Sequence, residues 1–136
     1  MIVLDEQLQG LGLQESIAHW YRGAVITVKQ LRPGTIIKDE VIPTLLRQVR
    51  QPTFVTINHD DFWRRVQADA SYCMICFDLS MERVQELPSL LRRLFTLAEF
   101  STKRARMGRI VSARERHIRF YGVHTKQVHV LGWPIT

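Results

Sequence analysis

Residues 1–8 read MIVLDEQL, and the change of character between Leu4 and Asp5 decides the fold. Four apolar residues that stop abruptly at two acids describe a short strand buried on both faces, leaving the core at its carboxyl end. Strands of that kind belong to parallel sheets covered by helices, so helical and extended segments are expected to alternate downstream. Leu13, Ile17 and the Trp20/Tyr21 pair recur at helical spacing between Gly12 and Gly23, which predicts a helix over 13–22. AVITVKQL at 24–31 is a second strand, closed by the Arg32-Pro33-Gly34 turn. Across 39–50, Val41, Ile42, Leu45, Leu46 and Val49 form one stripe, with acids at its start and Arg47 and Arg50 at its end. That charge order suits a helix dipole. Pro43 requires that this helix begin later than Asp39 or that it kink.

PTFVTIN at 52–58 and SYCMICFDLS at 71–80 are the third and fourth strands. Leu87, Leu90, Leu91, Leu94 and Phe95 define another helix, with Pro88 tolerated near its start. Three alternating segments follow, GRIVSAR, HIRFYGV and QVHVLGW. The order predicts one α/β domain over 1–136: a mainly parallel central sheet flanked by helices, with a small antiparallel C-terminal element.

At 136 residues and 46% hydrophobic, the chain has material for a core without a disulfide or structural metal. Cys73 and Cys76, three apart on a strand, point to opposite faces and read as a buried, reduced pair. No apolar run approaches the roughly 18 residues of a membrane span, which predicts a cytoplasmic protein without membrane association.

Charge is unevenly distributed. Residues 1–91 hold 9 Lys and Arg against 11 Asp and Glu, whereas residues 92–136 hold 10 against 2. A basic C-terminal third suggests a polyanion partner, the competing use being a solvated face. Lys103, Arg104, Arg106 and Arg109 are the candidates to track an RNA backbone. The acids fall in adjacent pairs, Asp5-Glu6, Asp39-Glu40 and Asp60-Asp61. The first and third pairs follow strands, at the sheet edge where open α/β folds bind ligands. Converging carboxylates repel unless a divalent cation neutralises them, and oxygen ligands without Cys or His point to Mg²⁺ or Mn²⁺. Such a site suits phosphodiester cleavage.

The series I-V-L-D-E-Q-L at 2–8, K-D-E-V-I at 38–42 and T-I-N-H-D-D-F at 56–62 resembles the PIN-like domain nucleases. The likeness is to the short PIN-like toxins related to the VapC ribonucleases. It covers residues 1–62, with Asp5, Asp39 and Asp61 on the acids of the three motifs and Thr56, Asn58 and Phe62 on the third. Lys38 and Pro43 depart from the group's pattern. The resemblance implies a PIN-like sheet with the first strand central. It implies a divalent-metal-dependent endoribonuclease, the toxin of a toxin–antitoxin pair, with Asp5, Asp39 and Asp61 as catalytic metal ligands. Glu6, Glu40, Asn58 and Asp60 are supporting candidates. RNA and an antitoxin protein are the implied partners, and a homodimer is left open.

Each acid also has a plainer use. Asp39 serves equally as a helix cap. Glu40 is favoured as a first-turn acid that complements the dipole, and Asn58 as a loop residue. His59 reads as an exposed loop histidine, and Trp63 as packing against the first helix. The alternative to an enzyme is an incomplete PIN-like module that binds RNA or a protein partner without cutting.

Overall fold

The computed structural model describes residues 1–133. Seven strands, β1 (Ile2–Leu4), β2 (Val25–Thr27), β3 (Thr53–Thr56), β4 (Cys73–Phe77), β5 (Arg109–Ala113), β6 (His117–Gly122) and β7 (Thr125–Gly132), form one sheet. Their order is β2-β1-β3-β4-β5-β6-β7. The first five are parallel, and β6 and β7 continue the sheet antiparallel. The α/β class and the mainly parallel sheet follow the expectation, but the first strand is not central: β1 lies second from one edge, between β2 and β3. The three C-terminal segments are not a separate element, because β5 pairs parallel with β4 and only the last hairpin reverses direction.

Helices cover both faces. Helices α1 (Leu13–Ala18) and α5 (Leu87–Leu94) enclose one core, in which Leu13, Ile17, Leu87 and Leu91 meet Ile2, Leu4, Val55, Ile75 and Val111. Helices α2 (Val28–Leu31), α3 (Ile42–Arg47) and α4 (His59–Phe62) lie over the other. There Ile42, Leu46 and Phe62 meet Val3, Phe54, Met74 and Ile110. Ile2 and Leu4 thus enter one core while Val3 enters the other, which is why the opening run carries no polar alternation. Cys73 and Cys76 divide between the same two cores, and burial pushes the Cys73 thiol up to about 12 and the Cys76 thiol higher still. Neither is a reactive thiolate near neutral pH.

Two local expectations change, and the alternative left at Pro43 resolves to the later helix start. The second strand ends at Thr27, because the Gln30 side chain accepts the Thr27 backbone N–H at 2.8 Å and starts α2. A 3-10 turn at Asp39–Val41 precedes α3, so Pro43 sits in the helix's first turn, where its missing N–H costs nothing. The predicted loop after the third strand is the single-turn helix α4, which turns His59 inward to 5% exposure. Trp63 then packs against Tyr121, with ring centroids 5.2 Å apart, on the face away from α1.

Candidate functional site

The chain leaves β1 by α1 on one face and returns from β2 to β3 by α2 and α3 on the other. The strand order therefore reverses between β1 and β3, and the crevice outside their carboxyl ends is where such sheets bind ligands. Asp5 directly follows β1, and Asn58 lies two residues beyond β3.

Asp5 is 5% exposed and held from two sides. Its Oδ1 accepts the Glu6 backbone N–H at 2.7 Å, and its Oδ2 accepts the Thr56 hydroxyl at 2.6 Å. Thr56 Oγ1 in turn accepts the Asn58 backbone N–H at 2.9 Å. The Asn58 amide donates to Asp39 Oδ2 at 3.1 Å, carrying the network from β1 through β3 to the turn before α3. Residues from three sequence segments thereby join two carboxylates on one edge, Asp5 held from two sides and Asp39 by one exposed bond.

The electrostatics are those of crowded acids. Burial raises the Asp5 carboxyl above the usual carboxylate range, Thr56 and the Glu6 N–H pull it back, and Asp39 and Glu6 raise it again. Partial desolvation raises Asp39 too, reinforced by Asp61, Glu40 and Glu6 in that order. Asp61 is exposed and lies 3.8 Å from Arg65, one helical turn on. Glu6 pairs with Lys29 at 3.2 Å, an exposed contact worth no more than about 1 kcal/mol. Asp39, Glu40 and Asp61 share one cleft of about 590 Å³ between α3 and α4, walled by Arg47, Arg65, Phe62 and Tyr72.

Hard oxygen donors from Asp5, Asp39, Asp61 and Asn58 suit Mg²⁺ or Mn²⁺ by chemistry. Among the described residues no three His, Cys, Asp or Glu side chains stand close enough to enclose an ion as placed. Asp39 and Asp61 are on the surface and free to re-orient, whereas Asp5 is fixed.

Two supporting assignments change. Asp60 is outside the group, with a side chain 97% exposed and Oδ1 at 3.2 Å from His59 Nδ1. Thr56 ranks with the acids, because its hydroxyl joins Asp5 to Asn58, a role foreshadowed only by its place in the third motif.

The basic segment is the larger correction. Helix α6 (Lys103–Arg106) lies at the amino edge of the sheet, near Gly23 before β2 and Thr53 at the start of β3. Arg106 is 3% exposed, its guanidinium 4.0 Å from the Phe95 ring and its Nη1 donating to the Phe100 carbonyl at 2.8 Å. Arg109 donates to the Glu99 carbonyl at 2.6 Å and covers the Phe120 ring. Both are committed to packing, and Lys103 and Arg104, though exposed, sit on the edge opposite the acids.

Among the described residues no helix is long and apolar enough to cross a membrane. Comparison with models of known families, with curated proteins and with solved structures finds no match to this chain.

Proposed function

We propose that this chain is a PIN-like, divalent-metal-dependent endoribonuclease whose site is the acidic crevice outside β1 and β3. One observation carries the reading: Asp5, Asp39 and Asp61 come from three sequence segments to one sheet edge, where the charge of Asp39 adds to the burial that raises Asp5 and the charge of Asp61 adds to the burial that raises Asp39. A buried carboxyl with a raised proton affinity beside further acids at a sheet edge is a costly arrangement of the kind that clusters at functional sites.

Asp5, Asp39 and Asp61 would hold Mg²⁺ or Mn²⁺, which supplies a more acidic water and a counter-charge for the leaving oxygen. The chain's own contribution is positioning. Thr56 and the Glu6 N–H orient Asp5, and Asn58 orients Asp39. The cleft between α3 and α4 is large enough for a nucleotide, and Arg47 and Arg65 on its walls suit the flanking phosphates. Within this reading the chain is the toxin of a toxin–antitoxin pair, and the antitoxin is a protein that covers the crevice.

A second reading, RNA or protein binding without cleavage, is favoured by the partners these acids already have. Asp39 is bonded to Asn58, and Asp61 faces Arg65. Titrating Mg²⁺ and Mn²⁺ into the protein with an end-labelled single-stranded RNA separates the two. Metal-dependent cutting abolished by Asp5→Asn supports the nuclease, and intact RNA at saturating Mn²⁺ supports the binding module.

A further inference from the structure

The four cations expected to meet RNA are on the edge opposite the acids, and a different group of arginines lies on the acidic edge. Arg114 follows β5 at its carboxyl end, Arg119 is on β6 opposite Ser112, and Arg64 follows α4 on the same face. The Arg119 guanidinium lies over the Trp63 ring at 5.3 Å, so an aromatic face and not a carboxylate holds it. Arg119 Nε and Trp63 Nε1 are both buried without a hydrogen-bond partner among the described residues. Buried donors normally find acceptors, so two orphans in contact mark a place built for an acceptor from outside the chain.

The backbone adds an independent sign. Arg64 has φ 68°, a left-handed conformation that a long side chain rarely adopts and that glycine would fill without strain. Strain of this kind is retained where the side chain has a use. Among the described residues neither Arg64 nor Arg119 has an ion pair, and Arg114 has Asp78 at 3.8 Å. Arg64 and Arg114 each act on Arg119 to weaken its hold on its proton, the burial of Arg119 being the larger cause. The charges of Arg64 and Arg114 thus both reach Arg119, and among the described residues the only ion pair of the three is that of Arg114 with Asp78, beside which Glu86 and Glu115 line the same pocket.

We propose that Arg64, Arg119 and Arg114, set around Trp63, form a phosphate-binding site for the backbone of single-stranded RNA running across the carboxyl edge of the sheet. Four strand spacings separate β1 from β6, so Arg119 lies roughly 19 Å from Asp5, with Trp63 and Arg64 between them, just after Asp61 in the chain. It engages the strand several nucleotides from the bond at the acids. The site deepens the RNA reading above but does not depend on cleavage.

The test is fluorescence anisotropy with a labelled oligouridylate, in chelator so that nothing is cut, at several salt concentrations. Arg64→Gly and Arg119→Gln should each weaken binding by roughly tenfold. Each should also reduce the slope of log affinity against log salt by roughly 0.7. Arg64→Gly relieves the left-handed strain, so its Tm holds or rises while its affinity falls, which separates lost binding from lost folding. Lys103→Gln with Arg104→Gln removes two charges from the opposite edge and should leave the slope unchanged. Equal slopes for wild type and both site variants would overturn the proposal. So would an equal loss in the Lys103/Arg104 variant, which would show a net-charge effect, or equally tight binding of blunt duplex DNA. A wild-type protein that binds through these arginines and never cuts leaves the site standing and removes only the nuclease reading.

Discussion

Thr56 Oγ1 donates to Asp5 Oδ2 at 2.6 Å, joining the ends of two adjacent parallel strands through a buried hydroxyl. Because the same oxygen accepts the Asn58 N–H, the hydroxyl proton is directed at Asp5 and the carboxylate cannot rotate away. Asp5 is therefore the fixed member of the acidic group, and Asp39 and Asp61 the adjustable ones. On the reading proposed above, Asp39 and Asp61 would have to turn toward Asp5 for the three to share a cation.

Asp5→Asn should abolish Mn²⁺ binding while the metal-free stability changes by no more than about 1 kcal/mol in either direction, relief of the buried charge being offset by the loss of one acceptor oxygen. The raised carboxyl of Asp5 means that the fold disfavours its charge, and the amide removes that charge at nearly constant shape. Calorimetric titration with Mn²⁺ and thermal melts of the same preparation read both halves. Unchanged Mn²⁺ affinity would remove Asp5 from the site.

Thr56→Val should cost about 1–3 kcal/mol, because it leaves the Asn58 N–H and one buried Asp5 oxygen without partners at equal side-chain volume. Thr56→Ser keeps the hydroxyl and should recover most of the loss. Urea denaturation of the three proteins gives the comparison.

The pH dependence has a definite sign. Asp5 and Asp39 hold their protons more tightly folded than unfolded, so the fold gains stability as pH falls through their raised values and loses it as pH rises back. Asp69 and Glu86 are shifted the other way, by Ser71 and Arg83 respectively, and oppose this trend as pH falls, but Asp69 is only half-buried and Glu86 is exposed, so solvent screens their share. Without metal, stability should therefore rise from neutral pH toward the upper carboxylate range. Asp5→Asn combined with Asp39→Asn should flatten that rise. Saturating Mn²⁺ should reverse it, since cation binding requires the charged forms.

The acidic site was legible in sequence because each acid follows a strand or opens a helix, and strand ends in a parallel sheet share one edge. Asp5 and Asp39 were found that way. The basic residues were not, because runs of arginine carry no period that reveals which edge they reach. Arg106 differs from Arg104 only by position within a single helical turn, yet one is buried against Phe95 and the other is exposed. His59 was misread for a related reason. A four-residue helix has too few apolar positions to show its spacing, and without that helix His59 looks like a loop residue.

Arg106→Met should destabilise the fold by about 2–4 kcal/mol without altering the salt dependence of RNA binding. The substitution leaves the Phe100 carbonyl without its donor and removes the cation from the Phe95 ring. An RNA contact would behave oppositely, losing slope while keeping Tm. Thermal melts and an anisotropy salt series on the same variant decide between packing and binding.

His59 presents Nε2 to Ser112 Oγ at 2.6 Å and Nδ1 to Asp60 Oδ1 at 3.2 Å, the order of partners found in serine hydrolases. The likeness stops at access. Ser112 is fully buried within β5, where no substrate carbonyl can approach its oxygen, and Asp60 is exposed where a hydrolase buries its acid. The contact instead ties α4 to the sheet, and with it Asn58 and Asp61, which flank His59 in the chain. His59→Ala should cost about 2–3 kcal/mol, from the cavity and the orphaned Ser112 hydroxyl. Ser112→Ala should cost less, and the double variant should fall short of the sum by about 1 kcal/mol or more, as expected for groups in direct contact. A serine-directed phosphonate should leave the protein unlabelled. Additive losses in the double-mutant cycle would show that this bond does not hold α4 in place, and labelling at Ser112 would show that the strand opens to reagent.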